Sequence, residues 1–103
     1  MIWDHRTYTL KPGGVEQYFA MYRAEGYAIQ TQVLGRKPVG YFYTEIGPLN
    51  QVVHIWAYQD LVERQTLRDA LFADSRWKAY VAKVTPLIVT MENKILRAAP
   101  LES

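Results

Sequence analysis

Aromatic and β-branched residues dominate positions 2–10, and Lys11-Pro12-Gly13-Gly14 then breaks the run, which predicts a strand closed by a turn. Beyond it Val15, Phe19, Tyr22, Gly26, Ile29 and Val33 recur at helical spacing, with Glu16, Arg23, Glu25 and Gln30 largely elsewhere on the wheel. Gly26 falls on the apolar side, where a glycine either permits close packing or marks a bend. Gly35 and Pro38 end this helix. Positions 39–46 read as a second strand, Gly47-Pro48-Leu49-Asn50 as a loop, and positions 51–58 as a third strand, so the two strands form a hairpin.

Asp60 is placed to cap the next helix, with Glu63 three residues on in capping-box spacing, and Leu67, Ala70 and Leu71 supply its apolar side. A second start signal at Asp74-Ser75, with Ser75 as a cap, opens a fresh segment. There Trp77, Tyr80, Val81 and Val84 fall on one side, and Pro86 stops it. The last strand covers positions 87–96. The order β-α-β-β-α-β predicts an α+β, ferredoxin-like fold with a four-stranded antiparallel sheet. No linker or repeat divides the chain, so a single domain is expected over 1–103, with an ordered core of about 2–97 and a loose tail after it.

Such a sheet, with its helices on one face, ordinarily alternates apolar and polar residues. These strands do not. Val39, Tyr41 and Tyr43 oppose Phe42 and Ile46 on the second strand, and Val53 and Ile55 oppose Val52, Trp56 and Tyr58 on the third. On the fourth, Leu87, Val89, Met91 and Ile95 oppose Ile88 and Leu96. Helices cover one face, and the other would be an apolar patch larger than monomers usually expose. Burying roughly 800 Å² of it per partner against a second copy is the physical solution, so a homodimer is expected.

The stretch from Arg6 through Gly13, RTYTLKPG, resembles the opening strand and turn of the NIPSNAP family. GYFYTEIGPLNQVVHIWAY, from Gly40 to Tyr58, resembles that family's central hairpin more closely, and Val84-Thr85-Pro86-Leu87 leading into Met91-Glu92-Asn93-Lys94 resembles its closing segment. The resemblance implies a dimeric α+β barrel in which two ferredoxin-like sheets close on each other. It implies no shared reaction, so a small-molecule-binding or interaction module is the first reading. A cofactor-independent monooxygenase-like or isomerase-like enzyme, acting on a small aromatic or apolar substrate, is the alternative. Whether the chain is an enzyme stays open.

Composition changes this picture mainly by exclusion. There is no cysteine, and serine occurs only at Ser75 and Ser103, which argues against disulfides, thiolate metal sites and Ser or Cys triads. Gly13-Gly14 lacks the further glycines of a dinucleotide or phosphate loop. A net charge of +2, scattered along the chain, gives no nucleic-acid footprint. No apolar run approaches the roughly 20 residues of a membrane span, and the N-terminus reads straight into a strand, so a cytoplasmic protein is expected.

Polar side chains inside apolar strands are the candidate chemistry, because a buried charge is costly unless paired. These are Asp4, His5, Arg6, Glu45, His54 and Glu92. His54, within Val52-Val53-His54-Ile55-Trp56, is the catalytic candidate, as a general base or a ligand orienter; the bland alternative is a hydrogen-bonded core histidine. Arg6 and Glu45 could bind a polar group or form a structural ion pair. Tyr8, Tyr41, Tyr43, Trp56 and Tyr58 would line a pocket for a flat or apolar small molecule or serve as core and interface. A metal site would need His5, His54 and carboxylates to converge, and no spacing motif supports one; haem on His5 or His54 is an outlying option. No cofactor is expected. Arg64 and Arg68, one turn apart, read as a solvated helix face.

Overall fold

The computed structural model describes residues 1–102. Four strands, β1 (Ile2–Leu10), β2 (Gly40–Tyr43), β3 (Gln51–Tyr58) and β4 (Ile88–Leu96), form one antiparallel sheet in the order β2-β3-β1-β4. Helix α1 (Gly14–Met21) runs through a π-helical turn (Tyr22–Gly26) into α2 (Tyr27–Leu34), and α3 (Leu61–Ala73) and α4 (Ser75–Val84) follow the β2–β3 hairpin. This is the ferredoxin-like α+β order expected. Residues 97–102 carry neither helix nor strand, and Ser103 of the expected tail lies outside the described residues.

The first helical stretch buries Gly14, Tyr18, Tyr22, Gly26, Gln30 and Leu34, every fourth residue. The expected stripe meets this line at Tyr22 and Gly26, and its Val15, Phe19, Ile29 and Val33 are half-buried flanks packed against the same core. At 3.6 residues per turn, a repeat of four drifts about 40° per step around an ideal helix. The π turn, which closes wider loops, takes up that drift at mid-length and keeps the stripe on the sheet. Gly26 is required there: a Cβ would lie 2.7 Å from both Tyr22 Cδ1 and Tyr80 Cζ.

Asp60 caps α3 by accepting from the Glu63 N–H at 2.8 Å, while Glu63 reaches back to the Gln59 N–H. At the next corner Asp74 is the cap, not Ser75: its carboxylate accepts from the Arg76 and Trp77 N–H groups. Two strand expectations are corrected. Strand β2 stops at Tyr43, so Glu45 and Ile46 belong to the loop before β3, and Val39 lies outside the strand. On β4 the register steps from Thr9–Thr90 to Leu10–Ile88, which leaves Val89 as an extra residue. This bulge turns Ile88 to the same face as Met91 and Ile95 instead of opposing them.

Cross-strand partners share a face, so the register defines two layers of rows. The helix-covered face carries Tyr43–Val52–Tyr8–Met91, then Tyr41–His54–Arg6–Asn93, then Trp56–Asp4–Ile95. Val52, His54, Trp56 and Asp4 are buried. The open face carries Phe42–Val53–Thr7–Glu92, Gly40–Ile55–His5–Lys94 and Ala57–Trp3–Leu96. Its apolar members stay half-buried or exposed, Phe42 at 54% and Leu96 at 40%. No helix among the described residues is long and apolar enough to cross a membrane.

Candidate functional site

His54 is the floor of a cavity of about 110 Å³ between the sheet and the helices. Its ring stacks on Tyr41, centroids 4.5 Å apart and 7° from parallel, and Tyr8 meets it edge-on at 4.9 Å. Beneath it, the indole N–H of Trp56 donates to His54 Nδ1 at 2.7 Å. An indole nitrogen only donates, so Nδ1 must accept and the neutral ring carries its proton on Nε2. Burial, reinforced by the charge of Arg6, lowers the His54 pKa to about 3, and the ring is neutral at physiological pH. Nε2 is buried and has no protein hydrogen-bond partner among the described residues.

The walls are aromatic. The Tyr18 and Tyr41 hydroxyls share a hydrogen bond of 2.5 Å, and Tyr22 donates to the buried Gln30 Oε1 at 2.6 Å. Burial pushes the Tyr18, Tyr22, Tyr41 and Tyr80 hydroxyls above their usual range, so they hold their protons. Helix α4 contributes Trp77, whose ring leans on Tyr80 at 5.0 Å and whose Nε1 is, among the described residues, the second buried donor without a protein acceptor. Three exposed residues on the lining, Phe72, Thr85 and Met91, mark the opening.

Charge gathers along one side of the cavity. Asp4, fully buried, accepts from Arg6 Nη1 at 3.3 Å, Arg64 Nε at 2.9 Å and Asn93 Nδ2 at 3.0 Å. Burial alone would raise its pKa, but the Asn93 hydrogen bond and the two guanidinium groups hold it below the usual carboxylate value. Arg6 also donates to the Tyr8 hydroxyl at 3.1 Å. Arg68, one turn from Arg64, lines the cavity with its guanidinium 5.1 Å from the Phe72 ring centre. Among the described residues it has no hydrogen bond or ion pair; burial, then repulsion from Arg6 and Arg64, lowers its pKa. The solvated face expected for Arg64 and Arg68 is thus corrected: both long side chains turn inward beside Leu67 and Leu71.

Of the other residues singled out from sequence, Arg6, Tyr8 and Tyr41 join His54 on the lining. Trp56 is packed under His54 and does not reach the cavity. Tyr43 lies 57% exposed beside Phe19, in a separate shallow groove, and Glu45 sits exposed in the loop after β2, not paired with Arg6. His5 points to the open face and His54 to the covered one, so alternation keeps the two histidines apart. Sequence reasoning missed Trp77 and Arg68. The usable signal was chemical: a tryptophan in a core stripe brings an N–H that needs a partner.

Comparison with known proteins places this architecture. The chain is 38% identical over 95 residues to a NipSnap homologue of Dictyostelium discoideum, covering 92% of this chain and 41% of that protein. It therefore spans less than half the length of that relative. A solved NIPSNAP-like domain protein from Burkholderia xenovorans is 48% identical, with a TM-score of 0.92 over 99% of this chain and 88% of that one. An antibiotic biosynthesis monooxygenase superposes with a TM-score of 0.67, over 97% of this chain and all of its own, at 14% identity. That likeness shows the fold alone. The NIPSNAP family model matches residues 3–102, and the chain belongs to the NIPSNAP family.

Proposed function

We propose that this chain works as a homodimeric module that binds a small, mostly apolar molecule in the cavity floored by His54. The observation that carries this reading is that His54 and Trp77 line one cavity, and that their buried donors, Nε2 and Nε1, have no protein acceptor among the described residues. Each such donor costs about 1–3 kcal/mol when left unpaired, and an acceptor on a bound molecule recovers that loss. The cavity of about 110 Å³ is somewhat smaller than the roughly 150 Å³ that admits benzene in an engineered site. Its opening at Phe72 and Met91 leaves room for a single ring or a short branched chain. In this reading His54 orients the ligand, Tyr8 and Tyr41 pack on it, and Trp56 fixes the tautomer that makes His54 a donor.

A reaction of the cofactor-independent monooxygenase or isomerase type would ask for a group that takes a proton from the substrate. Among the described residues the cavity lining holds no aspartate, glutamate or lysine, and His54 carries its proton on Nε2. Binding is favoured over general-base chemistry on that ground. The dimer part rests on the open face, where Trp3, Phe42, Val53, Ile55 and Leu96 line up without helices above them. A second copy of the same face would bury them symmetrically.

Calorimetric titration with benzamide, one ring bearing one carbonyl, should show one site per chain. Affinity should fall about tenfold in His54→Phe, with folding verified by circular dichroism. No binding by benzamide up to its solubility limit would overturn the cavity reading. Sedimentation at micromolar concentration should show a dimer that Val53→Lys converts to monomer; a monomeric wild-type chain would remove the dimer.

A further inference from the structure

The cavity has a sign as well as a shape. Arg6, Arg64 and Arg68 gather around one carboxylate, Asp4, so three positive charges face one negative charge, an excess of two. Asp4 is saturated by Arg6, Arg64 and Asn93, and Arg6 is further tied to Tyr8. Arg68 is left over. Its guanidinium lies on the cavity lining with no anionic partner among the described residues, held over the Phe72 ring. Half-burial strips part of its hydration, so an anion brought to it gains more than at a free surface. Among the described residues no acidic side chain lines the cavity to compete.

Resting on the ligand-binding reading above, we propose that the natural ligand is a small organic monocarboxylate. Its carboxylate pairs with Arg68 at the opening, and its single ring or short branched body lies against Tyr8, Tyr41 and Trp77. A planar carboxylate matches the guanidinium fork in two parallel hydrogen bonds. The N–H donors of His54 and Trp77 then meet a further acceptor on the body, such as a ring hydroxyl or carbonyl oxygen. A purely hydrocarbon body would leave them unpaired, so the class narrows to oxygen-bearing aromatic or branched carboxylic acids.

The experiment compares benzoate, benzamide and phenyl phosphate by calorimetry at low and high salt on the full chain. Benzoate should bind about tenfold more tightly than its neutral isostere benzamide at low salt, and the gap should narrow as salt is raised. Arg68→Met should abolish the gap, so that benzoate and benzamide bind alike to that variant, while Arg68→Lys keeps part of it. A 4-hydroxybenzoate probe should exceed benzoate. If neither benzoate nor benzamide binds, the cavity reading fails and this inference with it. If benzamide binds and benzoate binds no better, the cavity reading survives and the carboxylate is overturned. Tighter binding of phenyl phosphate than of benzoate would also overturn it, in favour of a phosphate head. The wild-type comparison stands even if Arg68→Met fails to fold.

Discussion

Asp4 and His54 are polar side chains buried in adjacent rows of the same covered sheet face, and the fold treats them in opposite ways. Asp4 is closed: Oδ2 accepts from Arg6 and Arg64, and Oδ1 accepts from Asn93. His54 is half open: Trp56 fills Nδ1, Nε2–H meets no protein acceptor among the described residues, and the residue lines a cavity. A saturated buried charge ties together β1, β4 and α3 and asks for nothing further. A buried donor left unpaired has a reason to stay only if something outside the chain completes it. Burial alone therefore does not separate architecture from recognition; the state of the last lone pair or proton does.

The largest test of the contrast is to open the closed site. Asp4→Ala leaves Arg6 and Arg64 turned toward each other with no anion between them, and should lose about 3–5 kcal/mol in urea unfolding. Arg64→Met removes one of three donors and should lose less, about 2 kcal/mol. A loss below 1 kcal/mol for Asp4→Ala would mean that the network is not what joins α3 to the sheet.

Acid separates the two sites by pH window. His54 has its pKa lowered from 6.5 to about 3, so the unfolded chain binds its proton more readily than the folded one. The His54 contribution is complete above pH 6.5 and is lost progressively between 6.5 and 3, amounting to about 3 kcal/mol by pH 4.5. Asp4 is also lowered, but from a carboxylate value, so its contribution is still whole at pH 4.5 and is lost only as pH falls below about 4. Unfolding free energy measured from pH 7 to pH 4.5 should thus slope steeply in wild type and flatten in His54→Phe. An unchanged slope would detach the acid sensitivity from this ring.

A smaller effect probes the wall of the open site. Gly26→Ala gains up to about 1 kcal/mol of helix propensity but drives a methyl into Tyr22 and Tyr80, both buried. Overpacking of this kind typically costs 1–3 kcal/mol, so a net loss of about 1 kcal/mol is expected by thermal unfolding. Stabilisation would show that the two rings move aside without loss, and that the π turn does not fix the cavity wall.

Much of the frame was legible because it depends on periodicity and punctuation. Gly35 ends α2 in a left-handed conformation, Asp60 caps α3, and the even positions of β3 face inward, all readable from local chemistry. The site was only half legible. His54 stood out as a polar residue in an apolar strand, but its useful property depends on which nitrogen Trp56 occupies, a matter of rotamers. Trp56 and Tyr43 looked equivalent to Tyr41 in composition, yet one lies under the imidazole and one out beside Phe19. The π turn was hidden because it moves the buried stripe by one residue without leaving a proline or a gap. The β4 bulge likewise reverses Ile88 with no glycine to announce it.

Arg64 and Arg68 give the finest form of the comparison, since they share a helix, a residue type and a direction. Arg64 reaches Asp4 at 2.9 Å; among the described residues Arg68 has no such partner and lies by the Phe72 ring on the cavity lining. In the ligand-free chain Arg68→Met should therefore change stability by no more than about 0.5 kcal/mol, and relief of repulsion from Arg6 and Arg64 could make the sign favourable. A charge that the fold does not use and partly desolvates is explicable if it is held for a partner. Should Arg68→Met instead destabilise the empty protein as much as Arg64→Met does, Arg68 belongs with Asp4 among the structural groups, and the open site loses its charge.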